Sequence, residues 1–342
     1  MLKKALLLLV IALLILCIWQ WNLIAYGLQQ GKGQLKVIVE AKTIEEFLDD
    51  SEFPDSLKSK LRVIKDIRRF AIDSLGINDT DNYSSMFDQH GDVTLWNLTA
   101  CQPYELEAYQ WSFPMLGSFP YKGFFDIERA REEEQELKSL GYDTQIRPVN
   151  GWSTLGWFND PILSDMLYLP VGHLADLIIH ELTHGTLYIK DSASYNENLA
   201  SFIGEKGAEK FLAQKFGANS IEWIAYEADK EDFKKFSSHF IRGSKALDSL
   251  YTLMRTVVND EIKAERKQRM ILNIINAMDT ISFAKNSRYL GRFQNSLPNN
   301  TFFMSFLRYY SKQNDFEKDF QGNFNGNIRS YLTYLKEKYP SL

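Results

Sequence analysis

The sequence predicts an α+β fold in which one buried helix carries the chemistry and a largely helical C-terminal lobe follows it. Three observations lead there. Leu174 to His184 is apolar at helical spacing and contains His180-Glu181-Leu182-Thr183-His184. The segment before it is rich in aromatics punctuated by proline and glycine, the pattern of short strands joined by tight turns. From Asn219 onward the apolar spacing is helical, over Ile221 to Phe240, Lys245 to Met278 and Phe302 to Phe316.

From the N-terminus, Lys3 and Lys4 precede an apolar run from Ala5 to Trp19, continued by Trp21, Leu23, Ile24 and Tyr26. About 20 such residues suffice to span a bilayer, and flanking lysines keep their end inside. The sequence therefore predicts a membrane anchor over residues 1–26, with the main domain on the outer face of the cytoplasmic membrane. A cleaved signal peptide is the alternative, since Ala25 and Gly27 flank Tyr26, but the run is long for one. Leu16 is too large to precede a lipidated Cys17.

The remaining chain divides into an α+β lobe over 27–218 and the helical lobe over 219–342. Only Cys101 lies outside the anchor, which excludes an internal disulfide. A net charge of −5 argues against a nucleic-acid partner. Oligomeric state leaves no sequence signal.

Gly31-Lys32-Gly33 reads as a flexible exit from the membrane, and Leu35 to Val39 as a strand or a helix start. Thr43-Ile44-Glu45-Glu46 fits a capping box. After Pro54, Leu57, Leu61, Ile64, Ile67, Ala71 and Leu75 recur at helical spacing up to Gly76, and the basic residues among them read as a solvated face. Val93 to Tyr121 predicts two or three strands. Asp126 to Leu140 predicts a charged helix and Thr144 to Val149 a strand. Gly151 to Phe158 is extended in character, either an edge strand that binds a peptide by main-chain hydrogen bonds or an aromatic core strand.

The chemistry rests on the motif. Helical positions four apart lie about 40° from each other around the axis, so His180 and His184 present two imidazoles to one point. Glu181 projects beside them, where a carboxylate can take a proton from a water activated by a metal. Two histidines in an apolar helix also fit a half-buried, metal-free pair, but a buried polar pair needs a partner, and zinc supplies one. Glu197 opens the next helical pattern after the turn-like Lys190 to Ser194, so it can complete a three-residue site with one open position. Asp191 competes for that role from a polar turn where a solvated aspartate is the default, which leaves Glu197 preferred. A third histidine is excluded, because Leu187 and Lys190 stand where that pattern needs other residues. Tyr195, His239, Tyr309 and Tyr310 could each donate to an oxyanion, but tyrosine is abundant here, a core or surface role is the default for each, and none of the four is assigned to the site; His90 and His173 likewise read as structural.

Beyond single motifs, several blocks resemble one family. These are Tyr26-x-x-Gln29 with Gly33-Gln34, Trp111-Ser112-Phe113-Pro114, Pro120-Tyr121-Lys122-Gly123-Phe124-Phe125-Asp126, Ser153-Thr154-Leu155-Gly156-Trp157-Phe158-Asn159-Asp160-Pro161, the histidine motif, Asn196-Glu197 and Leu297-Pro298-Asn299-Asn300. Together they resemble the bacterial putative aminopeptidases, zinc-dependent HExxH metallopeptidases of gluzincin type. The resemblance implies an envelope-associated, zincin-like protein with His180, His184 and Glu197 as zinc ligands and Glu181 as general base. Many members look like lipoproteins with a cysteine before the Tyr-x-x-Gln stretch; Trp21 and Asn22 stand there instead, which favours the transmembrane anchor.

The expected function is zinc-dependent hydrolysis of peptide bonds, as an aminopeptidase. The alternatives are a membrane-tethered, non-catalytic zinc-binding or assembly protein, against which Glu181 weighs because a structural site needs no base, and a zinc endopeptidase.

Overall fold

The computed structural model describes residues 3–4, 6, 18–113, 117–151, 153–154 and 158–339. Helices dominate, and short strands form three small sheets. Helix α1, Trp21–Glu40, leads into strand β1, Lys42–Thr43, and helix α2, Ile44–Asp49. The capping box forms as the sequence predicts: the Thr43 hydroxyl accepts from Glu46 N at 3.2 Å, and Glu46 Oε2 accepts from Thr43 N at 2.7 Å. Helix α3, Asp55–Phe70, buries Leu61, Ile64 and Ile67 and ends through a π turn, Ala71–Leu75, at Gly76, whose φ of 79° suits glycine.

The aromatic segment becomes β2, Ser85–Phe87, β3, Trp96–Cys101, β4, Trp111–Phe113, β5, Gly117–Phe119, and β6, Lys122–Phe124. Helix α4, Ile127–Ser139, β7, Asp143–Pro148, and β8, Ile162–Leu163, follow. One sheet has the order β1-β2-β8, with β8 parallel to β2; a second has the order β6-β3-β7, antiparallel throughout; β4 pairs β5. In the second sheet β3 is central, so β7 is an edge strand.

Helix α5, Val171–His184, and helix α6, Ala193–Phe216, form the most extensive helix pair of the fold. The C-terminal part comprises α7, Ile221–Met254, α8, Asp260–Asn276, the short α9, Asn286–Tyr289, α10, Asn300–Tyr310, α11, Gln313–Phe324, and α12, Ile328–Lys338. The expected helical lobe over 219–342 is shared between two cores. Phe236 and Phe240 of α7, Ile274 of α8 and Phe302, Phe303 and Phe306 of α10 form one. Phe316, Phe320 and Tyr331 of α11 and α12 join the other, with Leu61, Ile178, Leu199 and Phe202 from α3, α5 and α6.

Three expectations need correction, and one that was left open, at Leu35 to Val39, is decided. Gly31-Lys32-Gly33 is not a flexible exit but lies inside α1, because the helix packs so closely on Phe125 that a Cβ on Gly33 would sit 2.2 Å from its ring. Leu35 to Val39 is helical for the same reason of packing. The break expected near residue 240 is absent, since α7 runs unbroken to Met254; Gly243 there is a contact point where a Cβ would lie 2.8 Å from Ile274 Cγ2. Finally, the basic residues of α3 are not simply a solvated face. Lys58 is buried, Lys60 donates to the Leu169 carbonyl, and Arg68 donates to the carbonyls of Asn82 and Thr80.

Two expectations concern residues outside the description. Of the apolar run Ala5 to Trp19, only Leu6, Ile18 and Trp19 are described. Among the described residues no helix is long and apolar enough to cross a membrane. Within the extended segment Gly151 to Phe158, Trp152 and Leu155 to Trp157 also lie outside the description. Among the described strands, β3, β5, β6 and β7 all contribute residues to the wall of the cavity below, and β7 does so from the edge of its sheet.

Candidate active site

Helix α5 is buried on one face through Leu174, Ile178, Ile179 and Leu182, and turns His173, Asp176, His180 and His184 toward a cavity of about 1320 Å³. Its partner α6 comes unusually near. At Gly204 a Cβ would meet Asp176 Oδ1 at 2.5 Å and the Asp176 carbonyl at 2.8 Å, so only glycine permits this approach. The connection between the helices is fastened by Asn196, buried, whose side chain accepts from Ile189 N at 3.0 Å and donates to Ile189 O at 2.7 Å. A short, clamped turn and a close helix pair carry Glu197 to the histidines.

The result is a tight donor group. His180 Nε2 and His184 Nε2 lie 3.2 Å apart, and Glu197 Oε2 is 3.4 Å from each. Among the described residues His180, His184 and Glu197 form the one group of His, Cys, Asp and Glu side chains able to share a metal ion. Asp191 stands apart: its Oδ1 accepts from Ser118 N at 3.2 Å, as a turn aspartate would.

Charge in this group is strongly coupled. Burial works against the His180 imidazolium, but the hydrogen bond to Glu197 and the charges of Glu181, Glu197 and Asp176 outweigh it and push its pKa up to about 9. Burial likewise works to raise Glu197, yet His184 and His180 hold it well below the ordinary carboxylate range. Glu181, next in the chain to His180, is buried too; burial raises its pKa against the pull of both histidines.

The opposite wall comes from elsewhere in the chain. The Tyr121 hydroxyl donates to Glu197 Oε1 at 3.4 Å, and the Arg308 guanidinium lies 5.6 Å from the Tyr121 ring centre. The Tyr309 ring is 6.5 Å from that of His180, and the Tyr188 ring 6.0 Å from that of His184. Asn198, fully buried, holds the end of α10 in place: its Nδ2 donates to the carbonyls of Ser194, Leu307 and Arg308, and its Oδ1 accepts from Lys312 N at 2.8 Å.

Of the four oxyanion candidates, only Tyr309 and Tyr310 line the cavity. His239 is buried in the second core with Nε2 2.7 Å from the Ile274 carbonyl oxygen, and Tyr195 packs on Phe316 and Tyr339. His173 pairs with Asp229 at 3.1 Å, and His90 sits in an exposed turn beside Asp88. Sequence reasoning missed Tyr121, Asn196 and Asn198. A signal for them existed, since two buried amides flank Glu197 and Tyr121 belongs to an unusual block.

This helical α+β protein thus brings two imidazoles and a carboxylate, a group that could share a metal ion, to the wall of a peptide-sized cavity. More particularly, the chain belongs to the Putative aminopeptidase family, whose model matches residues 25–337. That match covers nearly all of the described structure and names a peptidase. No curated protein and no solved structure matches the chain.

Proposed function

We propose that this protein is a zinc-dependent peptidase with a zincin-like core, acting as an aminopeptidase, in which His180, His184 and Glu197 hold the zinc and Glu181 is the general base. The observation that carries this reading is the donor spacing. A tetrahedral zinc with bonds of about 2.0–2.1 Å has its ligand atoms about 3.4 Å apart, which compares with 3.2, 3.4 and 3.4 Å here. The electrostatics agree, because a position that draws a proton onto His180 up to about pH 9 also favours a metal cation in its place.

Zinc, when bound, supplies Lewis acidity toward a substrate carbonyl and an attacking water. Glu181 takes the proton of that water and delivers it to the leaving amine. Its carboxylate is buried beside both histidines, within reach of such a water. Tyr121 braces Glu197 through its hydroxyl. Tyr309, on the facing wall, is the donor we assign to the developing oxyanion.

Replacing Glu181 by Gln is expected to lower kcat on a peptide library by about 10³-fold or more, with one equivalent of zinc retained. A variant that still cleaves peptides overturns the assignment of the base. Comparison of free and N-acetylated peptides distinguishes an aminopeptidase from an endopeptidase. We further propose a cell-envelope location from Lys3, Lys4 and the apolar run after them, tested by whether protease added outside spheroplasts digests the main domain.

A further inference from the structure

Among the described residues the cavity is lined by as many Lys and Arg side chains as carboxylates, but not all of these cations are paired. Lys230 is paired with Glu209 and Glu227, and Arg288 with Asp229. Arg147, Arg292 and Arg308 line the same cavity, and among the described residues none of the three has a carboxylate within ion-pair distance. Each is held by weaker contacts. Arg147, on the edge strand β7, donates to Gln145 Oε1 at 2.7 Å; Arg308 donates to the Pro120 carbonyl at 3.3 Å; Arg292 lies 5.9 Å from the Phe236 ring centre.

These contacts leave guanidinium donors free. Arg308 is only 5% exposed, and a buried cation without an anion is expensive. Burial lowers the pKa of Arg147, Tyr309 works against that, and the charges of Arg308 and Arg292 lower it further, so Arg147 lies within electrostatic reach of both. Arginine's planar fork matches a carboxylate with two parallel hydrogen bonds, which lysine cannot do.

We propose that Arg147, Arg292 and Arg308 form a carboxylate-binding subsite of the cavity, so that the preferred substrates are short peptides with a carboxylate close to the scissile bond. The identity of the ligand as a peptide rests on the peptidase reading; the binding of a carboxylate does not. That carboxylate is either the free C-terminus or an acidic side chain.

The test is calorimetric titration of the full-length Glu181→Gln protein, which binds without cleaving. The probes are tri-alanine and tri-alanine amide, with Ala-Ala-Glu-amide and Ala-Ala-Gln-amide as the second pair. Within at least one pair the carboxylate-bearing probe is expected to bind about 10- to 100-fold more tightly. A preference confined to the first pair assigns the subsite to the C-terminus, one confined to the second assigns it to a side chain, and both support it. Arg147→Gln and Arg292→Gln should each reduce that preference to about threefold or less, while Arg147→Lys keeps part of it. Arg292 is exposed, so its variant stays folded if Arg147→Gln does not.

Equal affinity within both pairs, no binding of any probe, or a preference that survives both arginine variants overturns the inference. If the wild-type protein cleaves no peptide yet retains the carboxylate preference, the peptidase reading fails and the subsite stands.

Discussion

The two walls of the cavity are built by different means. The floor is local: α5 and α6 are consecutive helices joined by a clamped turn, and they bring His180, Glu181, His184 and Glu197 together within 18 residues of chain. The roof is assembled from distance, with Tyr121 after β5, Arg147 at the end of β7, and Arg308 and Tyr309 on α10. The floor is held by close backbone packing at a glycine. The roof is held by side-chain amides that satisfy backbone groups, chiefly Asn198. Chemistry that needs a fixed spacing of donors sits on the rigid, local part, and groups that meet a substrate sit on the part assembled by long-range contacts.

The largest effect is expected where the two walls join. Asn198→Ala removes the side-chain partner of the buried Arg308 carbonyl and of the Lys312 N–H, while the Leu307 carbonyl keeps the Ser311 hydroxyl, and is expected to destabilise the protein by about 2–4 kcal/mol. Urea denaturation measures this, and kcat should fall while zinc content holds, because the roof loosens and the floor does not. Equal losses of zinc and activity would mean that the walls are not separable in this way.

Next comes the floor itself. Gly204→Ala forces α5 and α6 apart at Asp176 and is expected to destabilise by about 1–3 kcal/mol and to weaken zinc retention against a chelator. Gly27→Ala, in α1 with nothing within 4 Å of the added Cβ, is the control and should stabilise by about 0.5–1 kcal/mol. Similar losses at both positions would show that helical context, not close packing, governs Gly204.

A smaller, pH-dependent effect sharpens the electrostatic side. Glu205, two turns beyond Glu197 on α6, has its pKa raised from 4.5 to about 7, first by burial and then by the charges of Glu209 and Asp176. Between those values the folded chain keeps a proton that the unfolded chain releases, so stability falls as pH rises from 4.5 to about 7. Glu205→Gln removes that loss. Relative to wild type it should gain up to roughly 2 kcal/mol in urea denaturation at pH 8 and little at pH 4.5. A constant difference at both pH values would mean that Glu205 is not charged at a penalty.

Much of this protein was legible without its fold, and the reasons are physical. The capping box at Thr43, the helix from Asp55 to its glycine stop and the α5 helix with its histidine pair follow from periodicities and caps that act within a few residues. Glu197 was within reach because one short turn separates it from His184. The two misplaced breaks are alike. At Gly31-Lys32-Gly33 and between Phe240 and Lys245 the chain was expected to break, whereas the helices run through, with Gly33 packed on Phe125 and Gly243 on Ile274.

By itself, then, the sequence determined that His180, Glu181, His184 and Glu197 come near one another and which helices bear them, since these depend on spacing along the chain. Only the tertiary structure decided that Tyr309 and Tyr310 rather than His239 or Tyr195 line the site, that Tyr121 reaches Glu197, and that three arginines share the cavity without a carboxylate partner among the described residues. Those outcomes depend on which distant surfaces close over α5 and α6. That closure is set by the packing of β7 and α10 and by the hydrogen bonds of Asn198, none of which leaves a periodic trace in the chain.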